Sequence, residues 1–320
     1  MRKIAVATTG GDAPGMNAAI RAVVRLAESM DFNVVGIHRG YCGLIEEDFE
    51  ELNARSVSGI INLGGTILRT IRCPEMETPE GISKASENLK KNHIDGVIVI
   101  GGDGSFRGAW ALNKESGVPV VGIPATIDND INNTDTTIGF DTAVNTALNA
   151  IDKIRDTATS HERVFVVEVM GRKRGFLALS VGLAAGAEII LVPEVPFLVD
   201  DLEQTLEEGR RKGKHSSIIV MAEGAGDSRL LTERIAKDLN YEARLSVLGY
   251  MQRGGNPTAA SRILANRFGE SAVQLISEGK GAKMVGVEGN NIISKPINQA
   301  WETPKKLDLS LYSLANKLAV

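Results

Sequence analysis

Cysteine is scarce in this chain. Its 320 residues include two, Cys42 and Cys73, too few for a disulfide framework or a cysteine-built zinc site. Both are read as free thiols, as in a reducing cytosol. Aromatic residues make up 4%, which separates the chain from aromatic-rich binding proteins. No apolar run approaches the ~20 residues of a membrane span. The opening Met1-Arg-Lys-Ile-Ala-Val-Ala runs straight into a strand pattern with no signal peptide, so a cytoplasmic location is expected. Strong charge of one sign is missing too. The net charge of −4 argues against a general nucleic-acid or membrane-surface partner. Any anion site must be a local cluster of basic residues.

Glycine, in contrast, is plentiful: 34 residues, beside 43% hydrophobic and 24% charged residues. That composition suits a helix-and-sheet enzyme, and the length allows two lobes. Lys3–Thr8 reads as a buried strand, followed by Thr9-Gly-Gly-Asp-Ala-Pro-Gly15 and an apolar-periodic helix from about Asn17 to Met30. A strand, a glycine turn and a helix N-terminus form a natural phosphate cradle, because exposed N–H groups and the helix dipole favour an anion. The turn is neither a Walker A loop nor Gly-x-Gly-x-x-Gly. A second strand is expected at about Asn33–Ile37, and Gly64-Gly65-Thr66 opens a polar loop carrying Arg69 and Arg72. Asp95–Ile100 is the next strand and breaks into Gly101-Gly-Asp-Gly-Ser105, a second unit of the same kind. A carboxylate at Asp103 would repel a polyphosphate unless a cation intervened, and magnesium resolves that conflict.

Pro124-Ala-Thr-Ile-Asp-Asn-Asp130 follows the apolar run Val118–Ile123. Read as extended chain, it places Thr126, Asp128 and Asp130 on one face beyond a strand's carboxyl end, where open α/β sheets hold ligands. A hydroxyl and two carboxylates suit a metal, a general base or both; a polar turn capping the next helix is the alternative. Gly139 is the candidate hinge. A second alternating set then follows: strand Val164–Val169, helix Phe176–Ala185, strand Glu188–Val192, helix Asp200–Arg211, strand Ser217–Met221 and strand Leu245–Gly249. A long helix Thr258–Glu278, a hairpin around Gly289-Asn-Asn and a last helix Leu307–Leu318 complete the chain. The alternation predicts parallel sheets with right-handed crossovers.

Five motifs in order carry a family resemblance: Gly10-Gly-Asp-Ala-Pro-Gly-Met-Asn17, Gly101–Ser105, Pro124–Asp130, Val169-Met-Gly-Arg172 and Gln252-Arg-Gly-Gly255. Across almost its whole length the chain resembles ATP-dependent 6-phosphofructokinases of the bacterial, tetrameric type. The resemblance implies two doubly wound, Rossmann-like α/β lobes with mostly parallel sheets and the active site in the interlobe cleft. It implies an ATP-binding lobe of residues 1–139 plus 252–302. The sugar-phosphate lobe would comprise residues 140–251 plus 303–320. The Thr258 helix would return to the first lobe, and the last helix would pack on the second. The implied reaction is the glycolytic phosphorylation of fructose 6-phosphate at its 1-hydroxyl.

The same resemblance assigns Gly11, Arg72, Cys73, Gly102, Asp103, Gly104 and Ser105 to ATP, with Asp103 on Mg2+. Thr126, Ile127 and Asp128 would meet the sugar phosphate, Asp128 as general base. Met170, Gly171, Arg172, Glu223, Tyr250, Met251, Gln252 and Arg253 would hold the sugar. Arg163 and Arg244 would reach the 6-phosphate of a neighbouring subunit, which implies a homo-oligomer, a tetramer in this family. Gly11, Thr126 and Arg172 join Asp128 in catalysis, with Arg72 or Arg172 stabilising charge on the moving phosphoryl group. Arg21, Arg25, Arg155, Gly186, Ala187, Glu188, Lys212, Lys214, His215 and Ser216 are the family's effector positions, for ADP or phosphoenolpyruvate.

Gly104 and Ala125 replace the Asp and Lys of pyrophosphate-dependent relatives and point to ATP. Ala125 stands where ATP-using relatives usually have Gly. Tyr250 replaces the usual His at the 6-phosphate, and a phenol cannot become cationic near neutrality. At position 54 Ala stands where an effector arginine is expected, with Arg55 one place later. The alternative readings are a pyrophosphate-dependent enzyme, a sugar-phosphate kinase with another acceptor, or an idle nucleotide sensor.

Overall fold

The computed structural model describes residues 2–319. Among them are strands β1 (Arg2–Thr8), β2 (Phe32–Ile37), β3 (Phe49–Leu52), β4 (Gly96–Gly101), β5 (Val120–Thr126) and β6 (Ile138–Gly139), of which β3 and β6 were not expected. The remainder are β7 (Val164–Val169), β8 (Ile189–Leu191), β9 (Ser217–Ala222), β10 (Ala243–Val247), β11 (Lys283–Glu288) and β12 (Asn291–Pro296). Every residue of β4 and of β9 is buried. Parallel strands covered on both faces require this near-continuous hydrophobicity.

The chain divides into two compact units, Met1–Thr142 with Arg253–Lys305 and Ala143–Gln252 with Lys306–Val320. In the first, the strand order is β12-β11-β5-β4-β1-β2-β3, with β6 beside β5. β1, β2, β4, β5 and β11 run parallel, while β3 and β12 lie antiparallel at the edges. Because β1 sits between β2 and β4, the connections diverge there, and a crevice opens outside the carboxyl ends of β1 and β4. The helix Ala259–Ser277 returns to this unit and packs on the helix Met16–Ser29. Gly269 permits their close approach, since a Cβ there would lie 2.6 Å from that of Ala22.

The second unit has four parallel strands in the order β10-β7-β9-β8. Its core joins Val166, Ile219 and Leu191 to Leu202 and Leu206 of the helix Val199–Arg211. The last helix, Leu309–Leu318, packs on the helix Phe176–Ala185 and on β8, with Tyr312 Oη donating to Ile190 O at 3.2 Å.

Several local expectations need correction. The segment Pro124–Asp130 is not extended throughout: β5 ends at Thr126 and Asn129 is left-handed at φ +51°. The alternation of Thr126, Asp128 and Asp130 on one face therefore does not hold. The strand placed at Leu245–Gly249 is Ala243–Val247, because pairing with β7 starts at Ala243 opposite Val164, and Gly249–Gln252 is a 3-10 turn. The last helix starts at Leu309 rather than Leu307, because Asp308 caps it by accepting from Ser310 N. Gly139 has φ +99° as a bend requires, yet the division between units follows Thr142. Helices at Pro79–Lys91 and Ser228–Asp238, capped by Thr78 and Asp227, were not expected.

Candidate active site

The donor loops meet at the carboxyl ends of β1 and β4. Thr9 N donates to Ile100 O at 3.0 Å, and Ser105 Oγ donates to Thr9 O at 3.0 Å. Ser105 is buried in the first turn of the helix Asp103–Ser116, while Gly104 beside it is exposed. A Cβ on Gly104 would meet no protein atom within 4 Å, so packing does not demand this glycine. Space is left over the helix N-terminus, where an anion is favoured. Gly11 is a different case: a Cβ there would collide with Nη1 of Arg253. That guanidinium reaches Asp12 O at 3.4 Å and lies 3.9 Å from the Asp12 carboxylate. Arg253 Nε and Thr9 Oγ1 are buried without hydrogen-bond partners, which marks the loop as built to meet something besides itself. Arg72 is exposed; its carbonyl lies 3.8 Å from Cys42 Sγ. Burial and the neighbouring Cys42 push the Cys73 thiol up to about 12, so it lines the loop as an unreactive thiol.

Asp103 accepts from Arg107 Nε at 3.0 Å, an i,i+4 pair on a half-exposed face. No group of three His, Cys, Asp or Glu gathers among the described residues. A lone carboxylate beside an open phosphate cradle fits magnesium, which takes few protein ligands and keeps phosphate oxygens and water.

Asp128 follows the end of β5, one strand from the Gly102 loop, where Pro124 pairs with Gly101. Its side chain is 4% exposed, and Ile127 beside it is also buried. Asp128 N donates to Thr126 Oγ1 at 3.2 Å, and Thr137 Oγ1 donates to Thr126 O at 2.6 Å. The threonine thus shapes the turn that displays the carboxylate.

In the second unit the Gly171–Arg172 turn meets Glu223. Glu223 follows β9, and its Oε1 accepts from Gly171 N at 3.0 Å and Arg172 N at 2.5 Å, just beyond β7. Bonds to a charged acceptor are the stronger kind, and they hold Arg172 in a left-handed conformation at φ 52°. Met170 is half-buried in the same loop. Tyr250 and Met251 are 83% and 54% exposed, whereas Gln252 is fully buried and donates to Gly249 O at 3.1 Å.

Residues 3–276 match the family model described as Phosphofructokinase. The chain belongs to the phosphofructokinase family. It is 52% identical over 332 residues to the ATP-dependent 6-phosphofructokinase of Halothermothrix orenii, with both chains covered in full. It is also 52% identical over 320 residues to that of Bacillus subtilis, again with full coverage of both. Among solved structures, the phosphofructokinase from Saccharomyces cerevisiae superposes with a TM-score of 0.91 at 34% identity. That match covers 100% of this chain and 48% of the yeast chain, so this chain spans about half its length. A pyrophosphate-dependent phosphofructokinase from Marinobacter aquaeolei shares the fold at 23% identity, with a TM-score of 0.86 over 97% of this chain and 86% of its own.

The remaining family positions fall into two groups. Arg163 and Arg244 lie side by side because both bind Glu242 Oε1, at 2.7 Å each. Their guanidinium groups hold the Glu242 carboxyl below the usual carboxylate range, the Arg163 hydrogen bond most of all. Of the second-unit positions expected to meet an effector, Arg155 and Lys214 flank Glu188, whose Oε1 lies 3.9 Å and 3.7 Å from them. Arg155 also donates to Ala185 O and Gly186 O, and Ser216 Oγ lies 3.5 Å from Thr159 Oγ1. Ala187 is buried beneath them; Lys212 is exposed, and the exposed His215 reaches Glu162 at 3.6 Å. In the first unit Arg25 donates weakly to Ala54 O at 3.5 Å, and Arg21 is half-buried on the same helix.

Sequence reasoning missed Asp12, Glu242 and Lys305. Asp12 lies within the first motif but was given no role, and the links of Glu242 to Arg163 and of Lys305 to Asn129 join residues far apart in the chain, where no local pattern reveals them.

Proposed function

We propose that this chain transfers the γ-phosphoryl group of ATP to the 1-hydroxyl of D-fructose 6-phosphate in glycolysis, giving fructose 1,6-bisphosphate and ADP. The observation that carries the reading is the buried Asp128 carboxylate, displayed by a threonine-capped turn one strand from an open glycine loop. Phosphoryl transfer requires positioning and charge stabilisation more than covalent chemistry. The amides of Gly11 and Gly102–Ser105 cradle the donor phosphates, with Arg72 and Cys73 lining the nucleotide. Asp103 would hold Mg2+, which supplies charge neutralisation on the phosphates when bound. Asp128 accepts the proton of the 1-hydroxyl as it attacks, and Thr126 orients that carboxylate. Arg72 or Arg172 would stabilise the developing charge, and Met170, Gly171, Glu223 and Tyr250–Arg253 would hold the sugar.

The open space at Gly104 supports ATP as donor, because a side chain there would intrude on a nucleotide rather than on protein. Ala125 is fully buried, a site ill-suited to the lysine of a pyrophosphate enzyme. Homo-oligomer formation, with Arg163 and Arg244 serving a neighbouring copy, is supported by apolar side chains left in solvent. Leu309, Leu311, Leu314 and Leu318 are each at least 40% exposed on the last helix. The effector group around Glu188 supports regulation by ADP or phosphoenolpyruvate. A cytoplasmic location accords with the absence, among the described residues, of any helix long and apolar enough to cross a membrane.

The test measures fructose 1,6-bisphosphate formation from fructose 6-phosphate and magnesium with ATP or pyrophosphate as donor. Turnover with ATP alone is expected, and Asp128→Asn should lower kcat by ~10²–10⁴-fold. Turnover with pyrophosphate alone would overturn the donor, and an unimpaired Asp128→Asn would overturn the base.

A further inference from the structure

One half-buried ammonium in the first unit has no place in the assignments above. Lys305 Nζ donates to Asn129 Oδ1 at 2.9 Å and to Asp135 O at 3.0 Å. Asn129 Nδ2 donates to the same Asp135 carbonyl at 3.1 Å. These three bonds tie together the two ends of the loop that begins at Asp128. The near end matters most, since Asn129 is buried, left-handed and the chain neighbour of Asp128. The far end is fixed to the β11–β12 hairpin: Asp135 N donates to Val287 O at 2.8 Å, and Gly289 N donates to Asp135 Oδ2 at 2.6 Å. Lys305 therefore links the turn at Asp128 to the segment held by the β11–β12 hairpin. Lysine is rarely placed where its charge loses water. Here burial lowers Lys305 to about 8, against the pull of Asp135 and Asp130. A residue serving only solubility would not be held in such a place.

We propose that Lys305 is a positioning residue for phosphoryl transfer, clamping Asn129 against Asp135 so that the left-handed turn sets the Asp128 carboxylate. The proposal rests on the reading of Asp128 as the base. Lys305 touches neither reactant in it; it acts through the geometry of its neighbour. Small misplacements of a reacting group are costly, up to ~10²-fold for 1 Å.

The experiment compares Lys305→Met and Lys305→Arg, each in the wild-type chain and in Asp128→Asn. Lys305→Met is expected to lower kcat about 10-fold or more while leaving the KM for ATP within about 2-fold, a split that general destabilisation does not produce. Lys305→Arg should recover most of the loss, because a guanidinium can donate to both acceptors. In the Asp128→Asn background Lys305→Met should cost nothing further, since a positioning group has no effect without the group it positions. If Lys305→Met fails to fold, Lys305→Gln takes its place and keeps one donor. An unchanged kcat, or an equal loss in both backgrounds, would overturn the proposal. Full kcat in Asp128→Asn alone would instead overturn the assignment of the base, and the role of Lys305 with it.

Discussion

In the first unit, groups proposed to handle the donor and to orient the base are tied into backbone: Ser105 to Thr9, and Thr126 to Asp128 and Thr137. In the second, several of those proposed for the sugar stand in solvent. Tyr250 and Met251 are among the most exposed large side chains, and both amides of the Gly171–Arg172 turn donate to the Glu223 carboxylate. The difference separates two ways of building a site. A loop between buried parallel strands inherits its shape from the sheet and is preorganised before any ligand arrives. A turn beyond the strands of a smaller sheet takes part of its support from a side chain, and several of its groups are left exposed.

Among changes that test this comparison, the largest effect should come from removing the Glu223 carboxylate. Glu223→Ala leaves the amides of Gly171 and Arg172 without their acceptor, so Arg172 loses its left-handed conformation. The KM for fructose 6-phosphate should rise ~10-fold or more, the loss expected for a charge-assisted pair of hydrogen bonds. The KM for ATP should stay unchanged, and steady-state kinetics with each substrate varied decides the matter. An equal rise in both would erase the distinction between the units.

Gly104→Ala tests the preorganised side. The new methyl enters open space, and alanine in a helix is favoured over glycine by up to ~1 kcal/mol. The variant should melt at the same or a higher temperature, yet bind ATP several-fold more weakly, about 1 kcal/mol, if the space belongs to the donor. Greater stability with unchanged ATP affinity would mean that the opening is solvent only.

Lys305 gives the first unit a pH signature. Its folded value of about 8 lies below the ordinary 10.5, so between those values the unfolded chain carries more protons than the folded one. Stability contributed by this residue therefore rises with pH through that window and is lost as pH falls through 8. Melting curves of the wild type and Lys305→Met at pH 7 and pH 10 should show the wild type gaining relative to the variant at the higher pH.

The smallest effect is expected at Tyr250. At 83% exposure, Tyr250→His should leave the melting temperature within about 1 °C, as surface changes usually do. It should improve the KM for fructose 6-phosphate a few-fold, about 0.5–1 kcal/mol. No change would show that Arg253, Arg163 and Arg244 already supply the phosphate's charge.

Much of this was legible along the chain. Buried runs such as Val97–Ile100, closed by glycine turns and followed by helix starts, locate the strands, the crevice at β1 and β4 and the loops at its mouth. Each of those signals lies within a few neighbouring residues, where steric and hydrogen-bond preferences act. Register at the edges was less legible, because β10 starts where β7 offers a partner and not where its own apolar pattern suggests. The turn at Asp128 was misread for a related reason: alternation along an extended strand ends once a threonine hydroxyl and a left-handed asparagine divert the backbone.

The amino-acid sequence by itself determined the order of strands and helices, the glycine loops and the carboxylates placed beside them. Tertiary structure alone decided that Lys305 meets Asn129 across 176 residues, that Arg253 meets Asp12 across 241, and that Arg163 and Arg244 share Glu242. The reason is physical. Periodicity, capping and turn chemistry are properties of adjacent residues, whereas a charged side chain finds its partner only after the sheets have packed and brought distant segments within hydrogen-bonding reach.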